Sequence, residues 1–77
     1  MEGLGPGHRS ALKKITVNGQ SHDTAADEIA ALIAELGFAR GTVLVEHNGT
    51  ALRPGEWNEC ALSDGDRIEL LRIAAGG

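Results

Sequence analysis

The chain has 77 residues, 42% hydrophobic and 23% charged, with a formal net charge of −4 and one cysteine. That length supports one domain around one core. The acidic balance opposes nucleic-acid binding, which needs a basic face for the phosphates, and no apolar run approaches the length of a membrane span.

Residues 1–11 crowd Gly3, Gly5, Pro6 and Gly7 together, a composition that supports neither helix nor strand. A disordered leader is expected there. The start of the chain also lacks the charged and apolar pattern of a secretory signal, so cytoplasmic residence is the expectation. Lys13-Lys14 form a basic pair of the ordinary solvated kind. Ile15 and Val17 then alternate with Lys14 and Thr16, which predicts a half-buried strand. Asn18-Gly19 signals a two-residue hairpin turn, and Gln20 to Asp23 forms a short polar return strand at an edge.

Asp23 or Thr24 offers an N-cap oxygen, with Asp27 and Glu28 in the first helical turn. Ile29, Leu32, Ile33 and Leu36 follow at i, i+3, i+4 and i+7, one apolar stripe on a helix. Gly37 stands where a left-handed cap ends it. Val43 to Val45 reads as a third strand running into a second Asn-Gly pair, Asn48-Gly49, after which Ala51-Leu52 pairs briefly. Arg53-Pro54-Gly55 is a turn, and Glu56 to Asn58 a short helical turn that docks Trp57 on the core. Asp64-Gly65-Asp66 is a tight turn, and Arg67 to Ile73 the last strand.

Few residues suggest chemistry within the body of the chain. Cys60 has no partner for an internal disulfide, in keeping with a reducing compartment. Glu59 beside it raises a thiol pKa, which reads as an inert loop thiol. His8, His22 and His47 have no metal-type spacing with Cys60, so no metal and no cofactor are expected. His47 points inward by alternation and reads as a satisfied, partly buried histidine. Trp57 reads as core packing, and Asp64 to Asp66 as turn residues. No His, Cys and acid constellation is expected to converge, and a free-standing enzyme is disfavoured.

The last four residues, Ala74-Ala75-Gly76-Gly77, are different. Small side chains and glycine's freedom in φ/ψ suit a thin arm that enters a narrow cleft with a carboxylate at its tip. The expected organisation is therefore a leader over 1–11, a domain over 12–73 and a flexible tail over 74–77.

The second half of the chain resembles the ThiS family of thiamin-biosynthesis sulfur carriers. The residues that carry the resemblance are Val43-x-Val45-x-x-Asn48-Gly49, Pro54-x-x-Trp57, Leu62-x-Asp64-Gly65-Asp66-x-Ile68-Glu69 and the final Ala75-Gly76-Gly77. The hairpin and helix fit the family more loosely, and the leader has no counterpart in it. The resemblance implies an α+β, ubiquitin-like β-grasp domain, a mixed sheet of four to five strands with one main helix. It also implies that an E1-like adenylating enzyme of the ThiF type activates the Gly77 carboxylate. A sulfur-relay protein then supplies the sulfur of a thiocarboxylate, and a thiazole synthase of the ThiG type accepts it.

On that reading Gly77 is the modified residue, no residue of the chain is catalytic, and neither nucleic acid nor membrane is a partner. Gly76, Ala75 and Ala74 form either a recognised element or a plain spacer. Leu44 and Leu71 face away from the helix if Ile15, Val17, Val43, Val45, Ile68 and Leu70 face it. They form a docking patch near the tail or merely scattered exposed apolar residues. Other readings stay open: the small subunit of molybdopterin synthase, against which the Asn48-Gly49, Pro54 and Trp57 spacing argues; another sulfur carrier or a protein modifier; and a β-grasp interaction module with an inert tail.

Overall fold

The computed structural model describes residues 12–73, so the expected leader and the tail residues Ala74, Ala75, Gly76 and Gly77 lie outside the described residues. Five strands, one helix and a short 3₁₀ turn make up the domain: β1 (Lys13–Val17), β2 (Gln20–Thr24), α1 (Ile29–Glu35), β3 (Val43–His47), β4 (Thr50–Leu52), the 3₁₀ turn (Pro54–Glu56) and β5 (Arg67–Arg72). They form one mixed sheet in the order β2-β1-β5-β3-β4. β5 occupies the centre, parallel to β1 and antiparallel to β3. A hairpin, a crossover helix and a last strand returning beside the first constitute the β-grasp arrangement that the family resemblance implies. Among the described residues no helix is long and apolar enough to cross a membrane.

Both Asn-Gly pairs do more than turn the chain. Asn18 and Gly19 have φ of 52° and 83°, and Asn48 and Gly49 have 51° and 87°, positive at both central positions as a type I′ turn requires. Each asparagine then bonds the central strand from its own side. Asn18 accepts from the Leu70 amide through Oδ1 and donates its own amide to the Ile68 carbonyl. Asn48 accepts from the Arg67 amide at 2.8 Å and donates to the Arg67 carbonyl. The turns thereby prolong the pairing of β5 with both neighbouring hairpins.

The helix begins later than the sequence predicts. Thr24 is the last residue of β2 rather than a cap, and α1 starts at Ile29 with Glu28 at the cap and no capping side chain. Asp27 and Glu28 are therefore not in its first turn. The physical reason lies in the segment 60–62, which competes for this backbone. Leu62 donates to the Asp27 carbonyl, Glu28 bridges Ala61, and the Ile29 and Ala30 amides donate to the carbonyls of Cys60 and Trp57. Loop carbonyls thus satisfy helix-end N–H groups that a capping side chain would otherwise serve. Thr24, almost wholly buried, turns its hydroxyl to two tasks: it accepts from the Ala26 amide and donates to Glu35 at 2.6 Å.

The other end of α1 behaves as expected. Gly37 has φ of 88°, and the amides of Gly37 and Phe38 donate to the carbonyls of Ala34 and Ile33. That pair of bonds is a Schellman motif. Ile29, Leu32 and Ile33 from the helix meet Ile15, Val43, Val45 and Ile68 from the sheet, and Trp57 and Leu62 close the core from the long connection to β5. The helical turn before Trp57 is 3₁₀ and lies slightly earlier than predicted, where the Glu56 carboxylate accepts from the Arg53 amide.

Candidate functional site

The sheet face opposite the helix is built by β3 and β5 in register. Leu44 pairs with Leu71 and Glu46 with Glu69, each pair directly across the ladder. Strand alternation places all four on this face, because Val43, Val45, Ile68 and Leu70 turn toward the helix. Leu44 is 53% exposed and Leu71 65%. The structure therefore brings the two predicted leucines together as one patch. They line a shallow groove of about 510 Å³ that Ala51, Glu46 and Glu69 also line.

The patch lies at the end of β5 from which the chain continues toward Ala74. Beyond Arg72 the Ile73 amide still donates to the Thr42 carbonyl, so the ordered pairing runs to the last described residue. Arg72 itself turns to the helix side, its guanidinium 5.2 Å from the centre of the Phe38 ring. The predicted tail residues Ala74, Ala75, Gly76 and Gly77 lie outside the described residues.

Charge on the outer face is graded along the strands. The leucine pair comes first from the tail end, then the opposed Glu46 and Glu69, then Arg67. Among the described residues neither glutamate has an ion-pair partner, whereas Lys13 is paired with Asp27 and Lys14 with Asp23. Like charges directly across a ladder oppose each other, so the Glu46–Glu69 pair does not itself stabilise the sheet.

A second cluster corrects the sequence reading. His47, Cys60 and Asp66 do converge: His47 Nε2 lies 2.7 Å from Asp66 Oδ2, and Nδ1 lies 3.5 Å from the Cys60 sulfur. Asp66 is more than a turn residue. Its carboxylate also accepts from the Ser63 amide at 2.8 Å and the Asn48 side chain at 3.1 Å. Burial pushes its pKa up, but these hydrogen bonds and the histidine outweigh burial and hold it below the ordinary value of 3.8. Burial raises the Cys60 thiol, with Asp66 and Glu56 adding to the effect rather than the neighbouring Glu59. His47 is partly buried and satisfied, and Trp57 is a core residue, both as expected. No local spacing could have revealed the cluster, since His47 is 13 residues from Cys60 and 19 from Asp66.

Central parallel pairing, a single helix on one face and an apolar patch beside the outgoing last strand define a ubiquitin-like β-grasp domain. A solved ThiS thiamine biosynthesis protein from Geobacter metallireducens has the same fold, with a TM-score of 0.68 and 31% identity over 83% of this chain and 99% of that one. Thiazole synthases from Paramagnetospirillum magneticum and Magnetococcus marinus are 31% and 34% identical to this chain over 65 residues, 83% of its length. The chain spans about a fifth of the length of those curated relatives, 20% in each. The ThiS family model matches residues 15–77, and the chain belongs to the ThiS family.

Proposed function

We propose that this chain is a sulfur carrier of thiamin biosynthesis and that Gly77 carries the sulfur. The observation that supports this most is the family match, which begins in β1 and continues through Gly76 and Gly77. The thiazole synthase relatives and the ThiS neighbour support the same pathway over molybdopterin synthesis. In the proposed chemistry an E1-like enzyme of the ThiF type joins the Gly77 carboxylate to AMP from ATP and releases pyrophosphate. A carboxylate is a poor electrophile, and the acyl phosphate gives it a leaving group. Sulfur from a relay protein, delivered at the sulfide level, displaces AMP, one carboxylate oxygen leaving with it, and the resulting thiocarboxylate passes its sulfur to a thiazole synthase of the ThiG type.

In this scheme the chain contributes reach and recognition, and its partners contribute catalysis. Ala74 to Gly77 enter the partner's cleft, while Leu44 and Leu71 seat the body outside it. Incubation with the activating enzyme, ATP and a sulfur source is expected to raise the intact mass by one oxygen-to-sulfur exchange. Deleting Gly77 abolishes the change in a domain that remains folded. A gain that persists in the truncated protein, on Cys60 for instance, would overturn the assignment to Gly77.

A further inference from the structure

Three side chains that the carrier chemistry leaves unused meet at the end of β5 remote from the tail. His47 closes β3, Asp66 immediately precedes β5, and Cys60 lies in the connection after the 3₁₀ turn. Their hydrogen bonds assign the protons. Asp66 is held as a carboxylate by the Ser63 amide and the Asn48 side chain, and a carboxylate only accepts. Nε2 of His47, 2.7 Å away, therefore carries a hydrogen; the Asn48 side-chain nitrogen, 3.4 Å from the same atom, gives its hydrogen bond to Asp66 instead. In the neutral ring Nδ1 is then left with a free lone pair, and it is the Nδ1 atom that lies 3.5 Å from the Cys60 sulfur.

We propose that Cys60 is a nucleophilic thiol for which His47 is the general base and Asp66 the positioning residue, and that it acts on compounds containing a sulfur–sulfur bond. The groups facing the thiol are His47 from β3, Asp66 from the turn before β5 and Glu56 from the 3₁₀ turn. Two of the three are acids, so the resting group is a thiol, and its proton leaves only as the sulfur attacks. This is the division of labour of a serine–histidine–aspartate triad, with sulfur in place of oxygen. Attack at sulfur builds no oxyanion and so needs no array of N–H donors. The one nearby amide described above, that of Ser63, is already engaged by Asp66.

In the step, the Cys60 sulfur bonds to one sulfur of the incoming pair and the sulfur–sulfur bond breaks. The electron pair leaves on the other sulfur, and the thiol proton passes through His47 Nδ1 to that departing thiolate. Cys60 is oxidised to a mixed disulfide, or to a persulfide when the outer sulfur of a persulfide is attacked, and the departing group is reduced to a free thiol. No other oxidant is required. β5, six residues and so about 20 Å long, separates this cluster from the point where the tail leaves the sheet.

The chain's one cysteine makes every adduct assignable by intact mass. The probe is dithiodipyridine, a small neutral disulfide whose released thione is followed by absorbance, used on the full chain and on His47→Gln and Asp66→Asn. The unfolded wild-type chain in urea supplies the rate of an unassisted thiol. Native wild type is expected to react faster than the unfolded chain at neutral pH. His47→Gln is expected to slow it at least about tenfold, a modest share of what a positioned base supplies, because thiols are already good nucleophiles. In urea the His47→Gln chain should react as fast as the unfolded wild type, because the base acts only in the folded domain. Asp66→Asn should slow the reaction too, because an amide can donate to Nε2 and hold the tautomer that turns Nδ1–H toward sulfur. Circular dichroism establishes that each variant is folded. Equal rates in wild type and folded His47→Gln, or a native thiol slower than the unfolded one, would overturn the proposal. If His47→Gln fails to fold, the wild-type comparison decides: a native thiol no faster than the unfolded one overturns the proposal.

Discussion

Leu44 and Leu71 sit directly opposite each other on β3 and β5, and both leave more than half of their surface open to solvent. Burying one leucine against a partner is worth about 1.5–3 kcal/mol, enough to change affinity at least roughly tenfold. If the proposed function holds, Leu71→Glu is expected to weaken binding to an activating enzyme of the ThiF type or a thiazole synthase of the ThiG type by that factor. Thermal stability should hardly change, because the side chain does not contribute to the core. Titration calorimetry and a melting curve check the two halves separately; unaltered affinity in a folded variant would place the contact elsewhere.

Acid should destabilise the domain through two carboxylates. Asp66 is held below its ordinary value of 3.8 by hydrogen bonds that outweigh burial. Glu35 is held below 4.5, chiefly by the Thr24 hydroxyl, with burial opposing and His22 assisting. A carboxylate with a depressed folded-state pKa contributes stability that is complete above its unfolded value and disappears as pH falls through the folded one. Urea unfolding should therefore show a plateau above the ordinary value of 4.5 and a decline beneath it. Glu35→Gln should make that decline shallower, and an unchanged slope would show that the Thr24 bond does not act on this carboxylate.

Thr24→Val keeps the shape of the side chain and removes its oxygen. The Ala26 amide and the Glu35 carboxylate each lose a partner that the fold supplies at 3.0 and 2.6 Å. Leaving the buried Ala26 amide unpaired costs about 1–3 kcal/mol, whereas Glu35 keeps His22 and access to water. Thr24→Ser should retain most of the wild-type stability in the same denaturant titration; a Thr24→Val variant as stable as wild type would show that the hydroxyl's two bonds do not stabilise the fold.

Gly37 offers a test of backbone conformation alone. No atom lies within 4 Å of a side chain placed there, so an alanine meets nothing but its own φ of 88°. Gly37→Ala is expected to cost about 1–2 kcal/mol, the penalty of a left-handed L-residue, and Gly37→Asn less. Comparable stability of Gly37→Ala and wild type would mean that the helix end relaxes.

What the sequence disclosed and what it concealed follow from the range of the forces involved. Asn18-Gly19 and Asn48-Gly49 set their turns through their own φ angles, and Leu44 and Leu71 declared their face by simple alternation. Both signals are local. The start of α1 was hidden because the competitors for its backbone, the carbonyls of Trp57 and Cys60, come from far along the chain. For the same reason Thr24 resembled a cap while serving as a bridge to Glu35. The His47, Cys60 and Asp66 cluster was assembled by the fold across three separate segments, and neighbours in sequence, such as Glu59, were the wrong guide to the field at the thiol.

The central placement of β5 has a mechanical consequence. A partner that grips the chain beyond Ile73 pulls along the axis of a strand bonded to β1 on one side and to β3 on the other. Such a load acts in shear on both ladders at once, so many hydrogen bonds must yield together. A strand at the sheet's edge, pulled across its ladder, would instead unzip one bond at a time. The domain can thus be held by its end and drawn against a narrow opening while the sheet stays whole.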